Sequence, residues 1–206
     1  MKRVLLVLLV LIAFTPAMMA GDKKKKTETE KAVEVKTEDD KEIHWLTLDE
    51  AQVKMKESPR KVYIDLYTDW CGWCKVMEKK TFTNPFVIKY MNEKFYAVKF
   101  NAEQQADIRF LGKMYGFKPE YKANELAVEL MHGQMSYPTS ILMEENFLNG
   151  QPVPGYQDVT NMEMIMKFFG DNLYKTQKWD VYMKQFKATW TTDESAQQAQ
   201  DVAPHH

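Results

Sequence analysis

Two cysteines, the only ones among 206 residues, are the residues whose type and spacing point most directly to chemistry. Cys71 and Cys74 stand in Cys-x-x-Cys spacing, between an apolar run and a stretch with helical periodicity. Lys61–Tyr67 has the pattern of a buried strand, and apolar residues recur at about helical spacing from Gly72 onwards. We therefore expect Cys71 to lie in a strand-to-helix turn, at the N-terminus of the helix.

A helix N-terminus favours thiolate chemistry at the first cysteine. Free backbone N–H groups and the positive end of the helix dipole stabilise a thiolate relative to a thiol. A thiolate is the attacking species in disulfide exchange, and Cys-x-x-Cys sites lower the pKa of the first thiol. The spacing therefore predicts that Cys71 attacks a disulfide and that Cys74 resolves the mixed disulfide. We expect Cys71 to be the more exposed of the two and Cys74 the more buried.

The residues around this pair resemble the active site of the thioredoxin superfamily. The segment Trp70–Lys75 matches its Trp-Cys-Gly-x-Cys-Lys motif, although Trp73 stands where thioredoxin itself has proline. Asp65 lies six residues before Cys71, where thioredoxins have a buried aspartate.

Two later motifs extend the resemblance. Lys99–Asn101 is similar to the Lys-x-Asn that follows on the next strand in thioredoxins, and Tyr137–Thr139 to the loop that faces the cysteines, usually with a cis proline. The similarity covers roughly Trp45–Phe169. It is greatest to secreted bacterial thioredoxin-like proteins, including the C-terminal domain of the transmembrane reductant conductor DsbD. It implies an α/β thioredoxin-like fold, with a mixed central sheet and helices on both faces.

The resemblance also implies roles for individual residues. Asp65 would accept the proton of Cys74 through a raised pKa; the alternative is a partly exposed aspartate at a strand end. Lys99 would pair with Asp65 and tune it, or would point to solvent. The substrate-binding candidates are Trp70, Trp73, Tyr137, Pro138 and Thr139, although Trp70 could equally be a packing residue.

Two predicted helices depart from the plain thioredoxin pattern. Asn124–His132 has helical spacing and lies in an insertion before the Pro138 loop, so it either shapes substrate choice or only lengthens the core. Trp179–Trp190 is predicted as an additional amphipathic helix near the C-terminus. Between these segments we expect a helix from a Thr160 cap to about Leu173.

Further elements follow from local patterns. Thr47 and Glu50 form a capping-box pattern that predicts a helix to about Glu57. Asn84 and Pro85 fit the cap and the first turn of a later helix that runs through about Asn92. Ala106–Tyr115 is predicted to be helical. The short link between the strand that follows Pro138 and the predicted edge strand Gln151–Tyr156 implies an antiparallel hairpin.

Composition divides the chain into four parts. Residues 1–20 resemble a secretory signal peptide, because the apolar run Val4–Phe14 is shorter than the roughly 20 residues of a membrane-spanning helix. A retained N-terminal anchor is the alternative. Residues 21–43 are mostly charged and are expected to be a disordered linker. We expect a thioredoxin-like domain over 44–190 and a flexible polar tail over 191–206.

Several classes of function lack support in this sequence. The net charge of −1 gives no reason to expect nucleic-acid binding. A structural zinc site needs four ligands, and no second cysteine pair or ligand-spaced histidine accompanies Cys71 and Cys74. We therefore expect no metal and no cofactor other than a redox-active Cys71–Cys74 disulfide.

These observations predict a secreted, periplasmic thiol–disulfide oxidoreductase, most similar to reductases of client proteins. Its expected partners are proteins with disulfides or thiols, together with a membrane electron donor. The alternatives are a disulfide oxidase or isomerase, and a non-catalytic binding module in which the disulfide is structural. Resemblance alone favours the reductase, because the sequence does not fix the relative stability of thiolate and disulfide.

Overall fold

A computed structural model describes residues 41–190 of the chain. The predicted signal peptide, most of the predicted linker and the predicted tail lie outside these residues. The elements are β1 (Trp45–Leu46), α1 (Leu48–Glu57), β2 (Lys61–Tyr67), α2 (Gly72–Lys80), α3 (Pro85–Lys94), β3 (Phe95–Asn101), β4 (Ile108–Phe110), β5 (Lys113–Tyr115), β6 (Phe117–Lys118), β7 (Ala123–Asn124), α4 (Glu125–Leu130), β8 (Thr139–Glu144), β9 (Leu148–Pro154), α5 (Val159–Gly170) and α6 (Trp179–Gln185).

Five strands form a mixed central sheet in the order β1-β3-β2-β8-β9. β3 runs parallel to β1 and β2, whereas β8 runs antiparallel to β2 and to β9. β2 is therefore central, with Asp65 opposite Lys99 on one side and opposite Ser140 on the other. This arrangement confirms the predicted mixed sheet and the predicted hairpin between β8 and β9.

Helices cover both faces of the sheet, because β2 buries side chains on both of its faces. Val62, Ile64 and Leu66 pack in one core cluster with side chains of α1 and α4. Tyr63 packs in a second cluster with side chains of α2, α3 and α5. Both layers pack against β2, and β2 leads directly into the turn that carries the cysteines.

The early helices begin where local signals predict. Thr47 and Glu50 form the capping box of α1. Asn84 caps α3, and Pro85 occupies its first turn. Within 41–190, no helix is long and apolar enough to span a membrane.

The helix predicted over Ala106–Tyr115 is wrong, since β4 and β5 form an antiparallel hairpin there. Leu111 and Gly112 both have positive φ, at 49° and 83°, and make the turn. Ile108 and Phe110 are buried while the residue between them is exposed. This alternation is the period of a strand, and it leaves Leu111 exposed instead of on a buried helix face.

Both helices after β9 differ from prediction in their ends. α5 begins after Asp158, not Thr160, because the Asp158 carboxylate accepts the N–H of Asn161 at 2.7 Å, and it ends at Gly170. α6 ends at Gln185, well before Trp190. The inserted helix α4 is present, although it is shorter than predicted.

Candidate functional site

The turn between β2 and α2 carries a disulfide between Cys71 and Cys74, with an S–S distance of 2.07 Å. The N–H of Cys71 donates to the carbonyl oxygen of Thr68 at 3.2 Å, which closes the turn. Cys71 is the N-cap residue of α2, and its Sγ accepts the N–H of Cys74 at 3.0 Å. The first cysteine therefore lies at a helix N-terminus, where backbone N–H groups stabilise negative charge on sulfur.

The expected difference in exposure between the two cysteines is wrong. Cys71 is 3% exposed and Cys74 is 8% exposed, so both are buried. Cys71 Sγ turns inward to the helix N-terminus, whereas Cys74 lines an open cleft. The neighbouring Trp70 and Trp73 project outward instead, with exposed fractions of 66% and 61%.

A cleft of about 260 Å³ leads to Cys74 from the side of β2 and β3. Asp65 lies in this cleft and is almost fully buried. Burial raises the pKa of Asp65 to about 6, although the positive charge of Lys99 opposes the shift. The lining residues are Asp65, Tyr67, Thr68, Asp69, Cys74, Lys75, Glu78, Lys79 and Lys99.

Lys99 lies between two carboxylates. Its Nζ is 3.9 Å from Asp65 Oδ2, and it also forms a closer ion pair with Glu78. Burial lowers the pKa of Lys99, and the charge of Asp65 counteracts this effect. Sequence reasoning missed Glu78, although its position one helical turn after Cys74 was a signal that the two share a face of α2.

The loop before β8 lies next to the end of β2, because Thr139 pairs with Leu66. Its Tyr137–Pro138 peptide bond is cis, and the Pro138 carbonyl oxygen accepts the N–H of Gly155 at 2.8 Å. Thr139 is buried opposite Leu66 of β2, and its hydroxyl donates to the carbonyl oxygen of Ser136 at 2.8 Å. These contacts place the loop beside the end of β2, from which the cysteine turn begins.

Exposed aromatic side chains connect the turn to this loop. Trp70 contacts Tyr137 edge to face at 5.9 Å between ring centroids, and its Nε1 donates to Glu103 at 2.9 Å. Trp73 contacts Tyr156 at 5.4 Å. Sequence reasoning missed Glu103 and Tyr156, because nothing in their local pattern reveals these long-range contacts.

The hydroxyl of Tyr137 stays protonated at neutral pH. Burial, together with the negative charge of Glu103, raises the pKa of Tyr137 to about 12. The rim beside the disulfide is thus aromatic and carries hydrogen-bond donors. Over the described part of the chain, no group of three or more His, Cys, Asp or Glu side chains is placed to hold a metal ion.

Comparison with known families gives this fold and site a context. A family described as "Thioredox_DsbH: Protein of unknown function, DUF255" matches residues 24–196. The chain belongs to this family. Its fold is thioredoxin-like, with the mixed sheet, the helices on both faces and the Cys-x-x-Cys disulfide described above.

Similar structures and one curated relative were also found. A thioredoxin-fold protein from Helicobacter pylori is 18% identical over 61% of this chain and 83% of that chain, with a TM-score of 0.48. The structure titled "DsbH Oxidoreductase" is 13% identical over 77% of this chain and 96% of that chain, with a TM-score of 0.45. The reduced C-terminal domain of DsbD from Neisseria meningitidis is 21% identical over 62% of this chain and 99% of that chain, with a TM-score of 0.39.

The curated relative is a longer protein. "Uncharacterized protein B0495.5" from Caenorhabditis elegans is 34% identical over 59 residues, which are 29% of this chain and 8% of that protein. The matched region therefore spans less than a tenth of that relative.

Proposed function

We propose that this protein is a thiol–disulfide oxidoreductase that acts through Cys71 and Cys74. The observation that carries the proposal is the disulfide at the N-terminus of α2, beside a cleft that is lined by both Cys74 and the buried Asp65. A purely structural disulfide needs neither a thiolate-stabilising helix end nor a buried acid with a pKa near 6.

We propose reduction of client disulfides as the direction of the reaction. In the dithiol form, the Cys71 thiolate attacks one sulfur of a client disulfide. A mixed disulfide between Cys71 and that sulfur forms, the client S–S bond breaks, and the other client sulfur leaves as a thiolate. Cys74 then loses its proton and attacks Cys71 Sγ, so that the Cys71–Cys74 bond forms and the second client sulfur leaves with the electron pair. The dithiol loses two electrons, the client gains them, and the client thiolates take protons from water.

In this proposal Asp65 is the base that accepts the proton of Cys74. Its pKa of about 6 leaves it mostly ionised at neutral pH, yet close enough to that pH to exchange a proton readily. Lys99 positions and tunes the carboxylate from 3.9 Å, and Glu78 holds Lys99 from its other side.

The proposed client surface is the aromatic rim beside the disulfide. Trp70 and Trp73 offer exposed rings, and aromatic rings give large contact areas for a bound polypeptide. The loop before β8 continues this rim, because the Tyr137 ring contacts Trp70. It would contact the client chain next to its cysteine through Tyr137, while the buried Pro138 and Thr139 shape the loop. No cofactor beyond the cysteine pair enters this reaction.

A location outside the cytoplasm, in the periplasm, is part of the same proposal. Its support is the signal-peptide pattern of residues 1–20 and the resemblance to secreted thioredoxin-like proteins. In an oxidising compartment a reductase needs a continuous supply of electrons. We therefore propose a membrane protein as the donor.

The reduction potential of the Cys71–Cys74 pair tests the direction of electron flow. Equilibration against glutathione or dithiothreitol buffers should give a value near that of thioredoxin, about −270 mV. A value near about −120 mV would contradict a reductase and would favour a disulfide donor or isomerase.

Trapping tests whether the protein is catalytic at all. Cys74→Ser should retain its clients as mixed disulfides through Cys71, because no second thiol is left to release them. Cys71→Ser is the matched control and should trap much less. If Cys71→Ser still performs the cellular role and Cys74→Ser traps nothing, the disulfide is structural and the protein is a binding module.

A further inference from the structure

The side chain of Thr68 contains a buried hydroxyl group that has no hydrogen-bond partner. Thr68 directly follows β2 and is 1% exposed. Within residues 41–190 its Oγ1 is one of two buried side-chain oxygen or nitrogen atoms without a partner. Leaving a buried hydroxyl unpaired costs free energy, so such atoms are few in folded proteins and call for an explanation.

The position of Thr68 suggests that explanation. Thr68 lines the same cleft as Asp65 and Cys74. Its carbonyl oxygen accepts the N–H of Cys71, so its backbone is tied to the cysteine turn. Thr68 therefore lines the same cleft as one group that must lose a proton and one that can accept it, although its hydroxyl is hydrogen-bonded to neither of them in the disulfide form.

A hydroxyl suits this place because it can donate one hydrogen bond and accept another at the same time. The disulfide that the structure contains carries no proton, so it has none to give to the Thr68 hydroxyl. When the disulfide is reduced, Cys74 becomes a thiol, which can donate to that hydroxyl. The reduced state thus adds a hydrogen-bond donor to this cleft that the disulfide form does not have.

We propose that the Thr68 hydroxyl relays the proton from Cys74 Sγ to the Asp65 carboxylate while Cys74 resolves the mixed disulfide. This inference rests on the proposed function. In one step Thr68 Oγ1 takes the proton of Cys74 and passes its own proton to Asp65, so Thr68 is left unchanged. The electron pair on Cys74 Sγ forms the bond to Cys71 Sγ, and the client sulfur leaves with the pair from the broken bond.

A single-turnover assay separates this step from the first attack. Reduced protein is mixed with 5,5′-dithiobis(2-nitrobenzoic acid), which releases one coloured thiolate when Cys71 attacks and a second when Cys74 resolves the adduct. Thr68→Val removes the hydroxyl and keeps the shape of the side chain. We expect it to slow the second release at least ~10-fold at neutral pH and to leave the first release nearly unchanged.

The dependence of the second release on pH should also differ between the unsubstituted protein and Thr68→Val. In the unsubstituted protein the second release should accelerate as Asp65 becomes ionised, around the pH of about 6 at which it titrates. In Thr68→Val the acceleration should move to higher pH, where hydroxide takes the proton directly. Thr68→Ser keeps a hydroxyl and should restore most of the rate, and Thr68→Ala serves in place of Thr68→Val if the latter does not fold.

Thr81→Val is the matched control. Thr81 is also buried, at the far end of α2, but its hydroxyl donates to the carbonyl oxygen of Gln157 at 2.7 Å. This substitution should leave both releases unchanged. If Thr68→Val behaves like Thr81→Val, or if Thr68→Ser is as slow as Thr68→Val, the relay is wrong even though the oxidoreductase proposal stands. If the unsubstituted protein shows no second release, the proposed function itself fails.

Discussion

Asp65 is the single residue whose ionisation should affect both stability and chemistry. Burial raises its pKa from 3.8 to about 6, so the folded protein binds its proton more tightly than the unfolded chain does. Its carboxyl group therefore favours folding most at low pH, and this contribution is lost as the pH rises from about 4 through about 6. Asp65→Asn removes the buried charge and should raise the free energy of unfolding above pH 6, by on the order of 3 kcal/mol.

Urea unfolding of the two proteins across this pH range checks the prediction. The difference in free energy of unfolding should be small near pH 4 and should grow to a plateau above pH 6. Asp65→Asn should also slow the second release in the single-turnover assay, since the base is gone. A stability difference that is constant with pH would show that burial of the charge is not its cause.

For the individual residues of the site, the sequence predicts which side chains lie close together, but not how they pack. Spacing along one strand and one helix is enough to bring Cys71, Cys74 and Asp65 together. The inward turn of Cys71 and the unpaired hydroxyl of Thr68 depend on contacts between elements that are distant in sequence. Local patterns contain no information on such contacts, so the expected exposure of Cys71 was wrong.

Among the elements, the insertion between β3 and β8 depends strongly on Asn124. This buried side chain caps α4 by accepting the N–H of Leu126 at 3.0 Å, and its amide donates to the carbonyl oxygen of Tyr115 at 3.2 Å. Asn124→Ala loses both the cap and the hydrogen bond to the Tyr115 carbonyl, so we expect a loss of roughly 2–3 kcal/mol in the free energy of unfolding.

Thr47→Ala provides the comparison for Asn124→Ala. Thr47 also caps a helix, but at an exposed position, and its loss should cost only about 1 kcal/mol. Chemical denaturation of both variants measures the two losses. Equal losses would mean that the hydrogen bond from Asn124 to the Tyr115 carbonyl adds nothing to the contribution of the cap.

The segment after α6 is held by one buried carboxylate, that of Glu163 on α5. Its oxygens accept the N–H groups of Thr189, at 2.9 and 3.0 Å, and of Trp190, at 2.9 Å, and it pairs with Lys167 at 2.6 Å. Burial acts to raise the pKa of Glu163, but these hydrogen bonds outweigh it, and the pKa lies below its ordinary value of 4.5. The contribution of Glu163 to stability is therefore full above pH 4.5 and is lost as the pH falls below it.

Hydrogen exchange tests how Glu163 holds this segment. Glu163→Gln removes the charge that strengthens the hydrogen bonds, so the amides of Thr189 and Trp190 should exchange at least ~10-fold faster at neutral pH. Glu129→Gln is the control, because Glu129 forms an exposed pair with Lys113 that should contribute little. Unchanged exchange in Glu163→Gln would show that packing of Trp190, not the carboxylate, fixes the segment.

Elements with strong local signals were predicted well, and those decided by tertiary contacts were not. The capping box of α1 and the proline that starts α3 act within one turn of helix, so their boundaries follow from sequence. Ala106–Tyr115 contains apolar residues that fit either a helix or two short strands. The hairpin is favoured because alternate residues are buried against α1 and the core, and that burial exists only in the folded molecule.

For the whole molecule, the order of the strands determines which side chains surround the site. β2 lies between β3 and β8, so Asp65 has a lysine on one neighbouring strand and the loop with the cis proline lies at the end of the other. The short link between β8 and β9 predicts their antiparallel pairing. The placement of β3 between β1 and β2 was not predicted, because it depends on contacts between distant elements that no local pattern reveals.

The oxidation state of one disulfide should change the stability of the entire fold. In the dithiol form, the Cys74 thiol is an additional acidic group in the cleft that Asp65 lines, whereas the disulfide carries no proton that could ionise. Stabilisation of the reduced form makes a protein a strong oxidant. If this protein is a reductase, the opposite should hold, and the disulfide form should have the higher free energy of unfolding. The reduction potential of the cysteine pair in the folded protein can be compared with that in the unfolded chain. Each 30 mV by which the folded value is lower adds about 1.4 kcal/mol to the free energy of unfolding of the disulfide form relative to the dithiol form.

Urea unfolding at neutral pH with and without dithiothreitol measures this difference in the free energy of unfolding. The double variant Cys71→Ser, Cys74→Ser is the control, since dithiothreitol should not change its stability. The difference in free energy of unfolding between the oxidised and the reduced protein should be smaller in Asp65→Asn, because this variant lacks the buried negative charge that disfavours a Cys74 thiolate. A reduced form more stable than the oxidised form would reverse the proposed direction of electron flow, because the folded protein would then favour giving up its disulfide to a client.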